Sequence, residues 1–142
     1  MISRLLTVQA MEKLYHSVCS LHYHLVLVTK YRRRCLNARM HDELRAQISH
    51  LLADYGCDLL EMNGEPDHVH LLIEATPKIT LCRLVNTIKT ATSRRLRRGF
   101  ATHLSRYYWK PVFWSRSYCL VSCGGAPLSV IKQYINGQAG FD

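Results

Sequence analysis

The stretch NGEPDHVHLLIE (Asn63–Glu74) begins as a turn and ends as a strand. Asn63 to Asp67 has the composition of a tight reversal: Asn and Gly accept left-handed backbone, Pro pre-sets φ, and Asp bonds its own main chain. His68 to Glu74 is extended in character, with apolar residues at Val69, Leu71 and Ile73. Cys57 to Met62 is a second short strand before the turn, so the pair reads as a hairpin. Working outward, His22 to Lys30 (HYHLVLVTK) reads as an earlier strand. A helix is predicted over roughly residues 39–55, where Leu44, Ile48, Leu51, Leu52 and Tyr55 recur at helical spacing and Gly56 supplies the stop. After the hairpin, a helix is predicted over roughly residues 80–98, with Thr80 as N-cap and Leu81, Leu84, Val85 and Ile88 as its stripe. Gly99 to Ser117 gives no clear period, Tyr118 to Ser122 reads as a fourth strand, and Pro127 opens a last helix to about Asn136. The order βαββαβα predicts an α+β, ferredoxin-like (RRM-like) antiparallel sheet with helices on one face and an additional C-terminal helix, all within a single domain, 1–142.

Composition narrows the function. The 142 residues are 48% hydrophobic and 20% charged, as in globular domains. No apolar run approaches the roughly 18 residues of a membrane span, and the N-terminus lacks a signal-peptide pattern. The expectation is a cytoplasmic protein with no membrane partner. Residues 1–74 hold eight Lys or Arg against nine Asp or Glu, whereas residues 75–141 hold eleven basic side chains and no acidic one. Such segregation sets a positive field over one region, as an anionic polymer would favour. The six cysteines form no Cys-x-x-Cys pair and read as reduced core residues.

Three features carry chemistry. His68 and His70, two apart on a strand, project from one face and offer half of a divalent-metal site. Asp67 either makes the turn or hydrogen-bonds a ligand histidine. His22 and His24 repeat the spacing on the first strand, and spacing alone does not choose between the pairs. In the last helix Tyr134 and Gln138 are four apart, and a phenol beside an amide oxygen suits a nucleophile and a metal ligand.

Together these residues resemble the IS200-like single-tyrosine transposases of insertion sequences with hairpin ends, within the HUH (His-hydrophobic-His) superfamily. The likeness runs from about Ser17 to Gln138. It rests on Tyr23-His24-Leu25-Val26 with Lys30-Tyr31-Arg32, Pro66-Asp67-His68-Val69-His70-Leu71-Leu72, Phe113-Trp114 with Ser117-Tyr118, Gly124-Gly125-Ala126-Pro127 and Val130-Ile131-Lys132-Gln133-Tyr134-Ile135. The resemblance implies that His68, His70 and Gln138 bind Mg²⁺ or Mn²⁺, that Tyr134 is the nucleophile, and that His24 is a structural feature of its strand. Asn136-Gly137, a helix-stopping pair, precedes Gln138.

The implied activity is cleavage and rejoining of single-stranded DNA with hairpin ends through a 5′-phosphotyrosine, by a homodimer that can share its active sites between subunits. Lys30, Arg32, Arg33, Arg34, Lys89, Arg94, Arg95, Arg97 and Arg98 are the expected nucleic-acid contacts. Tyr107, Tyr108, Trp109 and Trp114 are either stacking groups or core. Two alternatives stay open beside this reading. One is a domesticated HUH nickase acting on repeat hairpins, and the other a non-catalytic RRM-like nucleic-acid-binding module. The aromatic pattern of the latter is missing from the sequence.

Overall fold

Aliphatic and aromatic residues on alternate positions make Leu21–Thr29 (β1) a strand whose last six residues are buried on both faces. That pattern belongs to a central strand, and the computed structural model, which describes residues 21–123, puts β1 inside a four-stranded antiparallel sheet. The other strands are Asp58–Gly64 (β2), His68–Ala75 (β3) and Trp114–Ser122 (β4), in the order β2-β3-β1-β4. Helices Ala38–Asp54 (α1) and Leu81–Gly99 (α2) pack on one face, followed by a single turn, Ala101–Leu104 (α3). This is the ferredoxin-like arrangement expected from the sequence. The expected final helix lies outside the described residues.

Alternation sorts the two faces. Leu25 and Leu27 of β1 and Val69, Leu71 and Ile73 of β3 meet Leu44, Ile48 and Leu52 of α1 and Leu84, Val85, Ile88 and Leu96 of α2 in one core. The other face carries a smaller cluster, Val26 and Val28 with Cys119 and Val121, beside the histidines. The α1 boundaries follow local chemistry. Asn37 Oδ1 accepts the Met40 N–H at 2.9 Å as N-cap. Gly56, at φ 72°, closes the helix, with its N–H on Ala53 O and the Cys57 N–H on Leu52 O.

The unassigned stretch before β4 contains α3 and an earlier strand start than the apolar pattern suggested. Trp114 already belongs to β4; its ring is buried, it donates from Nε1 to Thr92 Oγ1 at 2.9 Å, and it meets Phe113 edge-on. Ser115, Arg116 and Ser117 hide the strand in the sequence because they are polar, although Ser115 is buried. Of the five described cysteines, all free thiols, Cys35 and Cys57 are core residues as expected, but Cys82 is exposed on the outer side of α2.

After β1 the chain makes a strained 3₁₀ turn, Lys30–Arg32, with Tyr31 at φ 60° and Arg32 at φ 52°. Left-handed backbone costs a non-glycine residue roughly 1–2 kcal/mol, so the surroundings must impose it. Thr29, fully buried, directs its hydroxyl to Arg33 O at 2.6 Å and Asp67 O at 3.1 Å. The Lys30 N–H donates to Phe113 O at 2.7 Å, and Tyr108 donates its hydroxyl to Lys30 O at 2.6 Å. Burial pushes the Tyr108 phenol well above its ordinary range, so it serves as a donor.

On the β2 side of the same hairpin turn, the strand closes against α1. A Cβ on Gly64 would lie 2.6 Å from Cγ of His41. Gly64→Ala is therefore expected to lower stability by about 1–3 kcal/mol. In combination with His41→Ala the loss should be smaller than the sum of the two single effects. Urea unfolding of the four proteins measures this, and additive losses would mean that the ring simply moves aside. Burial also holds the His41 pKa below its ordinary 6.5, despite the opposing Glu65 carbonyl and carboxylate. As pH falls below 6.5 the unfolded chain gains a proton that the folded chain resists, so stability declines. His41→Ala should show a shallower decline in acid, read by the same titration.

Candidate active site

β3 brings His68 and His70 to the sheet face away from the helices, while Val69 between them is wholly buried in the main core. Pairing with β1 sets His68 opposite Val28 and His70 opposite Val26. On the other side Asn63 of β2 faces His70. The expected side-by-side imidazoles are thus present.

Each ring has a defined partner. His68 Nδ1 donates to Asp67 Oδ1 at 2.8 Å, and the other carboxylate oxygen of Asp67 is ion-paired with Arg32 Nε at 3.3 Å. Partial burial works against ionisation of Asp67. The hydrogen bond and charge of His68, with the charge of Arg32, outweigh it and hold the carboxyl below its ordinary 3.8. Of the two roles open to Asp67, the contact with a histidine is realised. With Nδ1–H committed to the carboxylate, a neutral His68 keeps its lone pair on Nε2.

His70 is 4% exposed, and its Nε2 lies 2.8 Å from Nδ1 of His24, which is equally buried. The rings meet edge-on at 4.9 Å between centroids. Burial lowers the His24 pKa, against a smaller opposing effect of Glu61, and in the hydrogen bond one ring donates and the other accepts. His24 is therefore more than a feature of its strand: it is hydrogen-bonded to His70. His22 bonds Glu74 instead, at 2.9 Å. The repeated two-residue spacing on β1 was the available signal for His24, but only the strand register pairs it with His70.

Tyr134 and Gln138 lie outside the described residues. The basic residues divide. Arg95 is bonded to Glu43. Arg97 clamps the loop before β4 through Lys110 O at 3.3 Å and Val112 O at 3.0 Å. Lys89 reaches Arg116 O at 3.2 Å and lies over the Tyr118 ring. Arg32 is turned onto Asp67. Arg33, Arg34, Arg94 and Arg98 are exposed, and Arg94 and Arg98 line a groove of about 540 Å³ between α1 and α2 with Arg95 and Gln47. Tyr108 and Trp114 belong to the core, whereas Trp109 is 89% exposed with Lys110 Nζ 5.1 Å from its ring centroid. No helix among the described residues is long and apolar enough to cross a membrane.

A ferredoxin-like sheet with a His-hydrophobic-His strand in its centre is the architecture of an HUH-type enzyme. Residues 17–138 match the family model for IS200-like transposases, and the chain belongs to that family of DNA-cleaving enzymes. The ISDra2 transposase TnpA of Deinococcus radiodurans is 32% identical over 121 residues, which cover 85% of this chain and 86% of the relative. The transposase for insertion sequence element IS200 of Salmonella typhimurium is 28% identical over 127 residues, covering 89% and 82%. A crystal structure of a protein assigned as a transposase from Deinococcus radiodurans R1 superposes with a TM-score of 0.74 at 33% identity, covering 87% of this chain and 95% of that one. The REP-associated tyrosine transposase bound to a REP hairpin shares the fold, with a TM-score of 0.54 at 11% identity over 82% of this chain and 62% of that one.

The His24–His70 pair yields a stability prediction. His24→Ala leaves a buried ring nitrogen of His70 without this partner and is expected to cost about 1–3 kcal/mol. Denaturant unfolding reads it; a loss under about 0.5 kcal/mol would mean that His70 has an equivalent partner in the variant.

Proposed function

We propose that this transposase cleaves and rejoins single-stranded DNA at hairpin-bearing insertion-sequence ends in a divalent-metal-dependent reaction, with Tyr134 as nucleophile. The observation that carries the reading is the Asp67–His68–Val69–His70 arrangement: two imidazoles share one sheet face and a carboxylate orients the first. Imidazole nitrogens suit divalent ions, and a carboxylate behind a ligating histidine fixes its tautomer and raises its basicity. Among the described residues no group of three His, Cys, Asp or Glu side chains could enclose an ion. Gln138, substrate oxygens and water are the remaining donors. His70 shares Nε2 with His24, so ligation through Nδ1 keeps that pair, whereas ligation through Nε2 breaks it.

When bound, Mg²⁺ or Mn²⁺ supplies Lewis-acid polarisation of the scissile phosphate. Tyr134 attacks phosphorus in line, forming the phosphotyrosine ester as the P–O3′ bond breaks and releasing a free 3′-OH. The phenol, ordinarily of pKa about 10, gives up its proton on attack, and the departing O3′ takes one up from solvent. The ester retains the diester energy, so a second 3′-OH reverses the step and joins a new strand without ATP. Arg33, Arg34, Arg94 and Arg98 neutralise backbone phosphates, and Trp109 offers a face to an unpaired base. A homodimer, with the Tyr134 helix of one subunit completing the site of the other, fits the family pattern. A cytoplasmic location follows from action on the chromosome.

An RRM-like binding module is disfavoured by the sheet face. Such modules stack bases on exposed aromatics of the sheet, whereas here the central strands carry buried His24, Val26, Val28 and His70. The hairpin bound by the REP-associated transposase shows that a protein of this fold accepts such DNA, which keeps repeat hairpins as alternative substrates.

Incubation with hairpin-bearing single-stranded DNA and Mg²⁺ or Mn²⁺ tests the proposal. A covalent protein–DNA adduct is expected on denaturing gels, abolished by EDTA and by Tyr134→Phe. Cleavage that survives either would sink it. His68→Ala should lower adduct formation at least about 100-fold, the scale of losing a principal catalytic electrostatic group, while hairpin affinity stays within about threefold in a gel-shift assay. Equal losses of both would mark His68 as purely structural.

A further inference from the structure

We propose that Arg32 is a positioning residue of the metal centre: the left-handed Tyr31–Arg32 turn exists to seat its guanidinium on Asp67, and through Asp67 it fixes the His68 tautomer. The inference rests on the assignment of His68 as a ligand, and it changes the role of a residue first read as a DNA contact.

Four observations converge on it. First, Tyr31 and Arg32 both adopt left-handed backbone, at φ 60° and 52°, although neither is a residue type that favours it; such strain persists where the surroundings over-determine it and is common at functional sites. Second, the turn is pinned at both ends to the segment that carries the site. Thr29 N–H donates to Asp67 O at 3.0 Å, the Thr29 hydroxyl bridges Arg33 O and Asp67 O, and Leu36 N–H reaches Pro66 O at 2.9 Å. Third, the reversal separates two neighbouring side chains. Tyr31 is left exposed beside Lys30 and Arg33, while Arg32, its side chain still 41% exposed, reaches Asp67 Oδ2. Fourth, Asp67 uses its two oxygens on different partners, Oδ1 on His68 Nδ1 and Oδ2 on Arg32 Nε.

The consequence is geometric. A lone aspartate at a hairpin turn has rotamers that point to solvent or cap its own backbone. A cation held on one oxygen favours the rotamer that leaves the other oxygen for His68. Nδ1–H is then the protonated site and Nε2 the lone-pair site for a ligand. Without Arg32 the carboxylate is released and His68 samples both tautomers. Phosphate neutralisation by the same residue would give a different signature, because it would act on DNA affinity and its salt dependence.

The test uses the full chain with Arg32→Gln and Arg32→Gly. Glycine relieves the left-handed backbone, so Arg32→Gly removes the guanidinium without adding strain. In metal-free protein with ¹⁵N-labelled histidine, long-range ¹H–¹⁵N spectra read the His68 tautomer directly. Wild type should be predominantly Nδ1–H, and both variants should gain the Nε2–H form. Mn²⁺ affinity, measured by electron paramagnetic resonance with the metal alone, should fall roughly threefold to tenfold in both variants, at or below the lower end of the roughly 10–100-fold cost of losing a direct outer partner. The dependence of single-stranded DNA binding on salt should stay that of wild type, and Arg32→Lys should restore part of the tautomer preference. An unchanged His68 tautomer in both variants, with a salt slope shallower by about one phosphate contact, would overturn the proposal and return Arg32 to the DNA surface. A tautomer that shifts as described in both variants, when the wild-type protein itself has no Mn²⁺ affinity, would support the relay while refuting the metal centre itself.

Discussion

Down the middle of the sheet β1 and β3 pair antiparallel, with Val26 opposite His70 and Val28 opposite His68. Everything at the site depends on that register. A strand alternates its faces residue by residue, so a slip of one position would turn the imidazoles into the helix-packed core and bring Val69 and Leu71 out. The opposite face prevents the slip. Leu25, Leu27, Val69, Leu71 and Ile73 are buried against both helices, and each full burial contributes about 1.5–3 kcal/mol. The apolar side of the strands thus holds the polar side in place.

On that polar side, burial and hydrogen bonding act together. A buried neutral imidazole needs a partner for each committed nitrogen. The sheet supplies one within its own residues: His24 Nδ1 lies 2.8 Å from His70 Nε2. His68, at the strand entrance, is handed instead to Asp67 and, beyond it, Arg32. The two ligand candidates are therefore supported from different elements, one from the neighbouring strand and one from the turns that flank the sheet. Such support holds both rings in fixed orientations.

The positive charge of the second half of the chain does two jobs. Arg97 ties down the loop before β4 and Arg95 pairs with Glu43 across the helices, so these residues also shape the surface. Arg94 and Arg98 project from the same helix toward solvent. Their field extends over about a Debye length, roughly 8–10 Å at ordinary ionic strength, and draws a polyanion toward the helical layer whichever residues finally touch it. Trp109, almost fully exposed on a loop braced by Arg97, adds an apolar face to this otherwise cationic surface.

Hydrophobic periodicity and turn chemistry alone determined the strand and helix order, the Asn63–Asp67 hairpin, and the common face of His68 and His70, because these are local consequences of φ/ψ preference and of the two periods 2.0 and 3.6. They stopped short at Trp114–Ser117, where a polar run with a single buried member, Ser115, breaks the alternation, and at Tyr31–Arg32, where tertiary hydrogen bonds override the local preference of both residues. Which histidine of β1 meets His70, and which arginine of a run of three pairs with Asp67, were decided by the fold. Strand register and side-chain reach link residues 46 positions apart in His24 and His70, and no local pattern encodes the distance between them.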